Sequence, residues 1–381
     1  MVGTGKRSFT PDQTDAGRRP RRRGRASGLR ALLLGLGVLS GASGLSADSH
    51  AQVPVAEGPA VRVTVLGGLR ETTQYRRHEQ PFWETELPAR SGGRITATVT
   101  PFDQFGLTGR DVLRLVSLGS VQFGVVIPAT IHTDMPVLAG QDMVGLFADI
   151  TSLREGTAAW RQAVTEALAT QARVEVVATW TYPAQLLFCR RPFQRLTDIA
   201  GLRVRTASGH QAALVTSLGA QAVGLPYAQI TAAMSDGRVD CAITGGISAN
   251  LIGLHRVATH VLTMPIVWGI NHLVANQAFW RRLSPDLRQV FEQEFQRVTE
   301  AIWDAAEAET ASADACNAGR GPCSMGTPGT LSLVVPTARD RQTLRDALTT
   351  AILPEWFAAC GPACAAKWKA QVAPVIGLRL P

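Results

Sequence analysis

The sequence predicts an α/β protein built of two lobes, each with its own sheet. Strand patterns and helix patterns alternate along the chain, which is typical of βαβ units and parallel sheets. They do so in two successive series, and a long uninterrupted helical pattern follows them. Beyond a leader of 51 residues, 330 residues remain, enough for two domains.

The first series begins with a Val-rich alternating strand at residues 60–67, and later helices show apolar residues at spacings of three and four. Its strands are predicted at 60–67, 94–100 and 122–127, and its helices at 74–89 and 110–118. The second series is predicted to hold strands at 174–179, 185–190, 202–206, 239–244 and 272–276, and helices at 157–172, 211–218 and 228–235. The long helix is predicted at 285–313.

The first 51 residues have the order of a secretory signal peptide. Seven Arg lie between Arg18 and Arg30, an apolar run follows at 31–39, and small residues lead to Ala51. The apolar run is shorter than the roughly 20 residues of a membrane-spanning helix. We expect cleavage near Ala51 and export to the periplasm. Both the Sec and the twin-arginine route stay open.

Removal of the leader changes the charge of the protein. Residues 1–51 hold nine Lys and Arg against three Asp, so six of the eight net positive charges leave with them. A mature chain near +2 gives no basis for binding nucleic acid or a membrane surface. We therefore expect neither a nucleic-acid partner nor direct membrane insertion.

All six cysteines lie in the mature chain, and an even number in an oxidising compartment indicates disulfides. The loop-flanking pairs Cys316 with Cys323 and Cys360 with Cys364 are favoured, with cross-pairing between the two loops as the alternative. Cys189 and Cys241, both in strand-like segments, form either a third disulfide or two buried thiols. The spacings do not match a common zinc site.

Known signatures of hydrolases, metalloproteases and nucleotide-binding enzymes are missing from the sequence. The histidines His255 and His260 lie five residues apart without a neighbouring carboxylate, so a metal site is not predicted there. We expect a protein that is not an enzyme and that uses no cofactor or metal.

Several blocks of sequence, in order, resemble the solute-binding proteins of TRAP (tripartite ATP-independent periplasmic) transporters, of the dicarboxylate-binding-subunit type. The blocks are SGGRIT at 91–96, LTDIAGLRVR at 196–205, LGAQAVGLPY at 218–227, ITAAMSDGRVD at 230–240 and NQAFWRRLSPDL at 276–287. The resemblance extends to about residue 310, and the cysteine-bearing tail departs from it.

This resemblance implies a type II-like periplasmic binding protein fold, with two α/β lobes, crossing strands and a long spanning helix. Lobe I is then expected to comprise residues 54–182 and about 271–305. Lobe II is expected to comprise 183–270 and about 306–381, including a disulfide-bearing C-terminal extension. The ligand is held in the cleft between the lobes.

The resemblance also implies the residues that bind the ligand. Arg205 matches the family's Arg at the end of the "GLKIR" block, which clamps the ligand carboxylate, and a guanidinium suits that role. Gln185 stands where many relatives have a second Arg, which suggests a monocarboxylate or a ligand with a polar keto or hydroxyl end. Tyr227 matches an aromatic residue beside the ligand.

Thr244 replaces the usual Asn of the family. Ile243 and Thr244 stand where a keto-acid-binding branch has a metal-holding Glu-Trp pair, which argues against a bound cation. Trp180, Tyr182 and Trp268 lie near the predicted lobe crossings, where each either lines the pocket or packs in the core.

We therefore expect the periplasmic solute-binding subunit of a TRAP transporter, which captures a small organic acid and delivers it to membrane permease subunits. The alternatives are a receptor for a sensor kinase or another transporter class, and an exported hydrolase. The sequence does not identify the acid.

Overall fold

The computed structural model describes residues 60–379, and the predicted leader and its cleavage point lie outside them. The strands of these residues are β1 Val61–Gly67, β2 Ile95–Pro101, β3 Phe123–Val126, β4 Val174–Thr181, β5 Gln185–Cys189, β6 Arg203–Thr206, β7 Gln221–Gly224, β8 Cys241–Gly245, β9 His260–Val267, β10 Ile270–Asn276 and β11 Ser332–Val334. The α-helices are α1 Leu87–Arg90, α2 Gly109–Ser117, α3 Ile150–Ala172, α4 Gly209–Ser217, α5 Ile230–Ser235, α6 Gly246–Leu251, α7 Gln277–Arg282, α8 Pro285–Ala318, α9 Ala338–Ala347, α10 Leu353–Cys360 and α11 Pro362–Gln371.

The strands form two sheets, as the sequence predicts. The first sheet has the order β2-β1-β3-β10-β4, with β1 parallel to β2 and β3, and β10 antiparallel to β3 and β4. The second sheet has the order β11-β9-β5-β8-β6-β7, with β6 parallel to β7 and β8. The mixed α/β class is therefore confirmed.

Two short connections carry the chain between the sheets. Residues 182–184 join β4 to β5, and residues 268–269 join β9 to β10. The two connections run side by side, because Tyr182 N–H donates to Gly269 O at 2.9 Å. The predicted lobe boundaries near residues 182 and 270 fall at these connections, and the division into lobes stays a prediction.

Helix α8 contacts segments of both sheets along its 34 residues. It starts at a Pro, as helices often do, and stops before Gly319, whose φ of 65° suits glycine. The Trp303 indole donates to Thr179 O at 2.9 Å near the first sheet, and Thr310 Oγ1 accepts from Ala184 N at 3.1 Å beyond the crossing. The helix is longer than the predicted 285–313, and it is the expected long spanning helix.

An aromatic cluster fixes this helix on the first sheet. Phe291 and Phe295 of α8 lie 5.3 Å and 5.6 Å from the ring of Phe123 in β3, and Trp83 lies 5.2 Å from it. These rings are buried, and aromatic pairs in tilted or edge arrangements add to the stabilisation from buried area.

All six cysteines form disulfides in this structure. The two loop-flanking pairs are Cys316–Cys323 and Cys360–Cys364, as favoured from the sequence. Cys189–Cys241 is the third disulfide, which resolves the alternative that the sequence left open. These two residues lie directly opposite each other on β5 and β8, with Cα atoms 4.0 Å apart. Helix α10 ends at Cys360 and α11 begins at Pro362, so the helix breaks between the two cysteines of the pair Cys360–Cys364.

The C-terminal extension contacts segments of both predicted lobes. The Trp356 and Trp368 indoles donate to Pro136 O at 2.7 Å and Gly140 O at 2.6 Å, in a segment assigned to lobe I. Asp340 at the start of α9 accepts from Leu196 N at 2.8 Å, in a segment assigned to lobe II. Within residues 60–379, no helix combines the length and apolar character needed to cross a bilayer.

Candidate ligand-binding cleft

The predicted site residues lie at strand ends or just beyond them, and four of them, Trp180, Tyr182, Gln185 and Trp268, lie at or next to the connections between the sheets. Gln185 begins β5, Arg205 is the penultimate residue of β6, and Thr244 is the penultimate residue of β8. Trp180 is the penultimate residue of β4, and Tyr182, Tyr227 and Trp268 follow the ends of β4, β7 and β9. Ligand sites in open α/β sheets lie at the carboxyl ends of the strands. We call this region the cleft.

Arg205 is a buried cation with no acidic partner. Its side chain is 4% exposed, Nε donates to Leu225 O at 2.9 Å and Nη1 donates to Ile243 O at 2.7 Å. Burial lowers the pKa of Arg205 to about 10, and no carboxylate within the described residues offsets it. The guanidinium stays charged at neutral pH, is oriented by two carbonyls and keeps Nη2 without a protein partner. It is equipped to hold an anion.

Gln185 is held by protein groups at both ends of its amide. Its Nε2 donates to Trp268 O, and its Oε1 accepts from Gln211 Nε2 at 3.0 Å. Gln211 is itself buried and accepts from Ala207 N at 2.8 Å. Gln211 belongs to α4 and was not predicted as a site residue. It fixes the orientation in which Gln185 meets the cleft.

Tyr227 and Thr244 are both buried near Arg205. The Tyr227 hydroxyl donates to Ser248 O at 2.7 Å. Burial raises the pKa of Tyr227 above its ordinary value, with a smaller opposing effect from Arg205. Thr244 lies opposite Leu186 in the pairing of β5 with β8, and its hydroxyl makes no hydrogen bond within the described residues. The Thr244 hydroxyl is therefore available to a ligand.

The three predicted aromatic residues differ in how their polar atoms are used. Trp268 is buried and its indole donates to Phe147 O at 3.1 Å, a structural bond. Tyr182 is buried with its hydroxyl 3.5 Å from the N–H of Leu69, which follows β1. The Trp180 indole N–H is buried without a partner.

Glu79 is a buried carboxyl group beside the loop that follows β1. The sequence analysis did not single it out. Its Oε2 accepts from Gly68 N at 2.7 Å, while Oε1 has no partner. Burial raises the pKa of Glu79 to about 7. A Cβ at Gly68 would lie 2.7 Å from Glu79 Oε1 and 3.2 Å from Tyr182 Oη, so a larger residue there would have to displace the end of the Glu79 side chain. Glu79 and Tyr182 therefore both contact the loop that follows β1, at Gly68 and Leu69.

Arg205 is a fixed cation and the Thr244 hydroxyl has no partner within the described residues, and both groups suit a small anion. Within residues 60–379, no group of three or more His, Cys, Asp and Glu is placed to hold a metal ion. The two-sheet fold with crossing strands is the fold expected of a two-lobed solute-binding protein. In agreement, residues 70–320 match the family model described as bacterial extracellular solute-binding protein, family 7.

The match spans more than half of the chain, and the chain belongs to this family. The prediction of a TRAP-type solute-binding protein that is not an enzyme is thereby confirmed. None of the sequence-predicted binding residues is tested by that match, and their roles stay predictions.

Solved structures with the same fold include three informative ones. The Bordetella pertussis extracytoplasmic solute receptor DctP7, binding pyroglutamic acid, has a TM-score of 0.73 at 17% identity, over 84% of this chain and 100% of that chain. A TRAP periplasmic solute-binding protein from Desulfovibrio salexigens with bound orotic acid has a TM-score of 0.71 at 16% identity, over 83% and 98%. One from Shewanella oneidensis with bound succinate has a TM-score of 0.69 at 18% identity, over 83% and 100%.

Proposed function

We propose that this protein is the periplasmic receptor of a TRAP transporter and that Arg205 anchors the carboxylate of a small organic acid in the cleft. The observation that supports this most is a buried guanidinium held by two backbone carbonyls without a carboxylate partner. Burying an unpaired charge is costly, and a ligand carboxylate provides the missing partner.

The other predicted residues have graded roles in this proposal. Thr244 contributes its free hydroxyl, and Tyr227 packs beside Arg205 with its own hydroxyl committed to Ser248. Gln185 offers the ligand the hydrogen-bonding capacity of its amide that the bonds to Trp268 and Gln211 leave free. Tyr182, Trp180 and Trp268 form an aromatic wall of the cleft. We propose that the ligand carries one carboxylate at Arg205 and a polar group toward the first sheet.

The cellular setting follows from the leader and the family. We propose that the signal peptide is cleaved near Ala51, that the mature protein meets its ligand in the periplasm, and that it passes the ligand to the membrane permease subunits of the transporter. Edman sequencing or intact-mass analysis of the secreted protein tests the cleavage point. A mature N-terminus far from Ala51 contradicts it.

A ligand search tests the function directly. The mature protein is purified, unfolded and refolded to release any bound ligand, and screened by thermal shift against pyroglutamate, orotate, succinate and malonate among other organic acids. A ligand at 100 times its Kd adds about 2.7 kcal/mol of stability. Stabilisation by one or a few carboxylates supports the proposal, and a response to none of a broad set of acids contradicts it.

A further inference from the structure

The disulfide Cys360–Cys364 differs from the other two in how far it is exposed to solvent. In the disulfide between β5 and β8, both cysteines are 0% exposed. In the disulfide at the end of α8, Cys316 is 1% exposed. Cys360 and Cys364 are both partly exposed, so this is the one disulfide of the described residues whose two ends both reach the surface.

The same pair lines a cavity on the protein surface. The cavity has a volume of about 540 Å³ and lies between helix α3 and the segment formed by α10 and α11. Cys360, Ala363 and Cys364 line one side, and Trp160 and Ala167 of α3 line the other. A small thiol can therefore approach the disulfide from this cavity.

The turn between the two cysteines is short and open. Gly361 has a φ of 88°, which suits glycine, and a Cβ there would meet no atom within 4 Å. Pro362 and Ala363 are exposed. The sequence separation of the two cysteines is only 4, and in the chain-entropy account a short loop gives little stabilisation. Breaking this disulfide therefore costs the folded protein less than breaking either of the others.

The helices on both sides of the turn are anchored by contacts that do not involve the cysteines. The Trp356 indole donates to Pro136 O at 2.7 Å, and the Trp368 indole donates to Gly140 O at 2.6 Å. Both tryptophans are buried, and their ring centroids lie 5.6 Å apart. Helices α10 and α11 should therefore keep their places when the S–S bond is broken, so that the two thiols stay close enough to pair again.

We propose that Cys360–Cys364 is a thiol–disulfide exchange site, which a dithiol reductant opens and a disulfide oxidant closes while the protein stays folded. The reacting partner is defined by its chemistry, a pair of thiols of which one reaches the cavity between α3 and α11. The inference is independent of the ligand and of the residues in the cleft.

The two helix ends give the exchange a direction. Cys364 is the third residue of α11, where the N-terminal N–H groups stabilise a thiolate, and Cys360 is the last residue of α10, where the carbonyl end disfavours one. The incoming thiolate attacks Cys360 Sγ, the S–S bond breaks, and Cys364 leaves as a thiolate that takes up a proton.

The second thiol of the reductant completes the reaction. As a thiolate, it attacks the reductant's own sulfur in the mixed disulfide and releases Cys360, which takes up a proton. The reductant is thereby oxidised to a disulfide, and the protein disulfide is reduced to two thiols. A disulfide oxidant reverses both steps.

Timed reduction of the folded mature protein tests the site. The oxidised protein is incubated with dithiothreitol without denaturant and quenched at intervals with N-ethylmaleimide, and peptide masses show which cysteines are labelled. Circular dichroism follows the fold in parallel. We expect Cys360 and Cys364 to be labelled together, about tenfold or more faster than the cysteines of the other two disulfides, while the protein stays folded. Oxidised glutathione should then restore the disulfide.

Variants test the direction of attack and supply the control. Cys360→Ala leaves the thiol of Cys364, and Cys364→Ala leaves that of Cys360. The rate of alkylation by iodoacetamide, measured across pH, should reach half its maximum at lower pH for Cys364. The double variant Cys316→Ala with Cys323→Ala is the matched control, and its Cys360–Cys364 disulfide should be reduced at the wild-type rate.

Three results with the wild type overturn the inference. They are reduction of another disulfide first, labelling of Cys360 and Cys364 only in step with unfolding, and failure of the reduced pair to re-form. Each is the result expected of a purely structural disulfide. A lower midpoint for Cys360 than for Cys364 overturns the direction of attack. The wild-type experiment decides the main point even if a variant does not fold.

Discussion

At the residue scale, Arg205 and Glu79 are buried ionisable side chains that form no ion pair within the described residues. Arg205 stays protonated at neutral pH although burial lowers its pKa to about 10. Glu79 lies beside the loop that follows β1, and burial raises its pKa to about 7.

Glu79 makes folding stability depend on pH in a specific direction. The folded protein holds the Glu79 proton up to about pH 7, because burial raises the pKa of its carboxyl group, whereas the unfolded chain releases it near the ordinary Glu pKa of 4.5. Stability therefore falls as pH rises between these values, by about 3 kcal/mol for this group. We expect Glu79→Gln to remove this part of the pH dependence. The measurement is urea unfolding of both proteins from pH 4.5 to 7.5.

The difference between the two proteins is the decisive quantity, because other groups titrate in the same range. Burial raises the pKa of Asp142 to about 8 and lowers that of His272 to about 3. Those contributions are shared by wild type and variant and cancel in the difference. A difference in unfolding free energy that stays constant with pH contradicts the assignment to Glu79.

Arg205 stands in a recognisable block of sequence, and the structure buries it near the end of β6, while its role in binding stays a prediction. Gln211 and Glu79 were missed because each sits in an ordinary helix pattern. Their importance comes from contacts between distant segments, such as Glu79 with Gly68 and Gln211 with Gln185. No local spacing indicates such contacts.

At the scale of elements, disulfides fasten the second sheet and the tail. Cys189–Cys241 joins strands β5 and β8 and closes a loop with a sequence separation of 52, while Cys316–Cys323 closes one of 7. In the chain-entropy account a larger loop gives greater stabilisation. We expect Cys189→Ala with Cys241→Ala to cost about 4 kcal/mol and Cys316→Ala with Cys323→Ala about 2.5 kcal/mol. Denaturant unfolding under oxidising conditions measures both.

Thiol titration of the unfolded protein is the companion measurement. No free thiol is expected in the wild type, and none should appear in either double variant. Free thiols in the wild type, or a larger loss of stability from the Cys316 and Cys323 pair, would contradict the ranking.

Elements with strong periodicity were predicted, and those with interrupted patterns were not. Helix α8 has its apolar residues on one face. The sequence predicted its start correctly and its end too early. Strand β9 contains Pro265, which weakens a strand pattern, and β11 has only three residues. Helices α9 to α11 lie in the cysteine-bearing tail, beyond the resembling blocks of sequence, where no elements were predicted. Tertiary contacts such as Trp368 with Gly140 stabilise them.

At the scale of the whole molecule, few segments of the chain link the two sheets. Two short connections and helix α8 join the sheets, and the C-terminal extension contacts both predicted lobes. This arrangement suits hinge closure around a ligand. We expect the radius of gyration from small-angle X-ray scattering to decrease when the ligand is added to the refolded mature protein. An unchanged radius at saturating ligand contradicts closure.

The affinity of Arg205→Ala for the identified ligand tests the central claim most directly. Arg203→Ala is the control, because Arg203 lies on the same strand but pairs with Asp240, Nε to Oδ2 at 3.0 Å, away from the cleft. By calorimetry, Arg205→Ala should lose about 2–5 kcal/mol of binding free energy, the range for removing one partner of a buried charge pair. Arg203→Ala should bind like the wild type. Wild-type affinity in a folded Arg205→Ala protein would contradict the assignment of Arg205 as the carboxylate anchor.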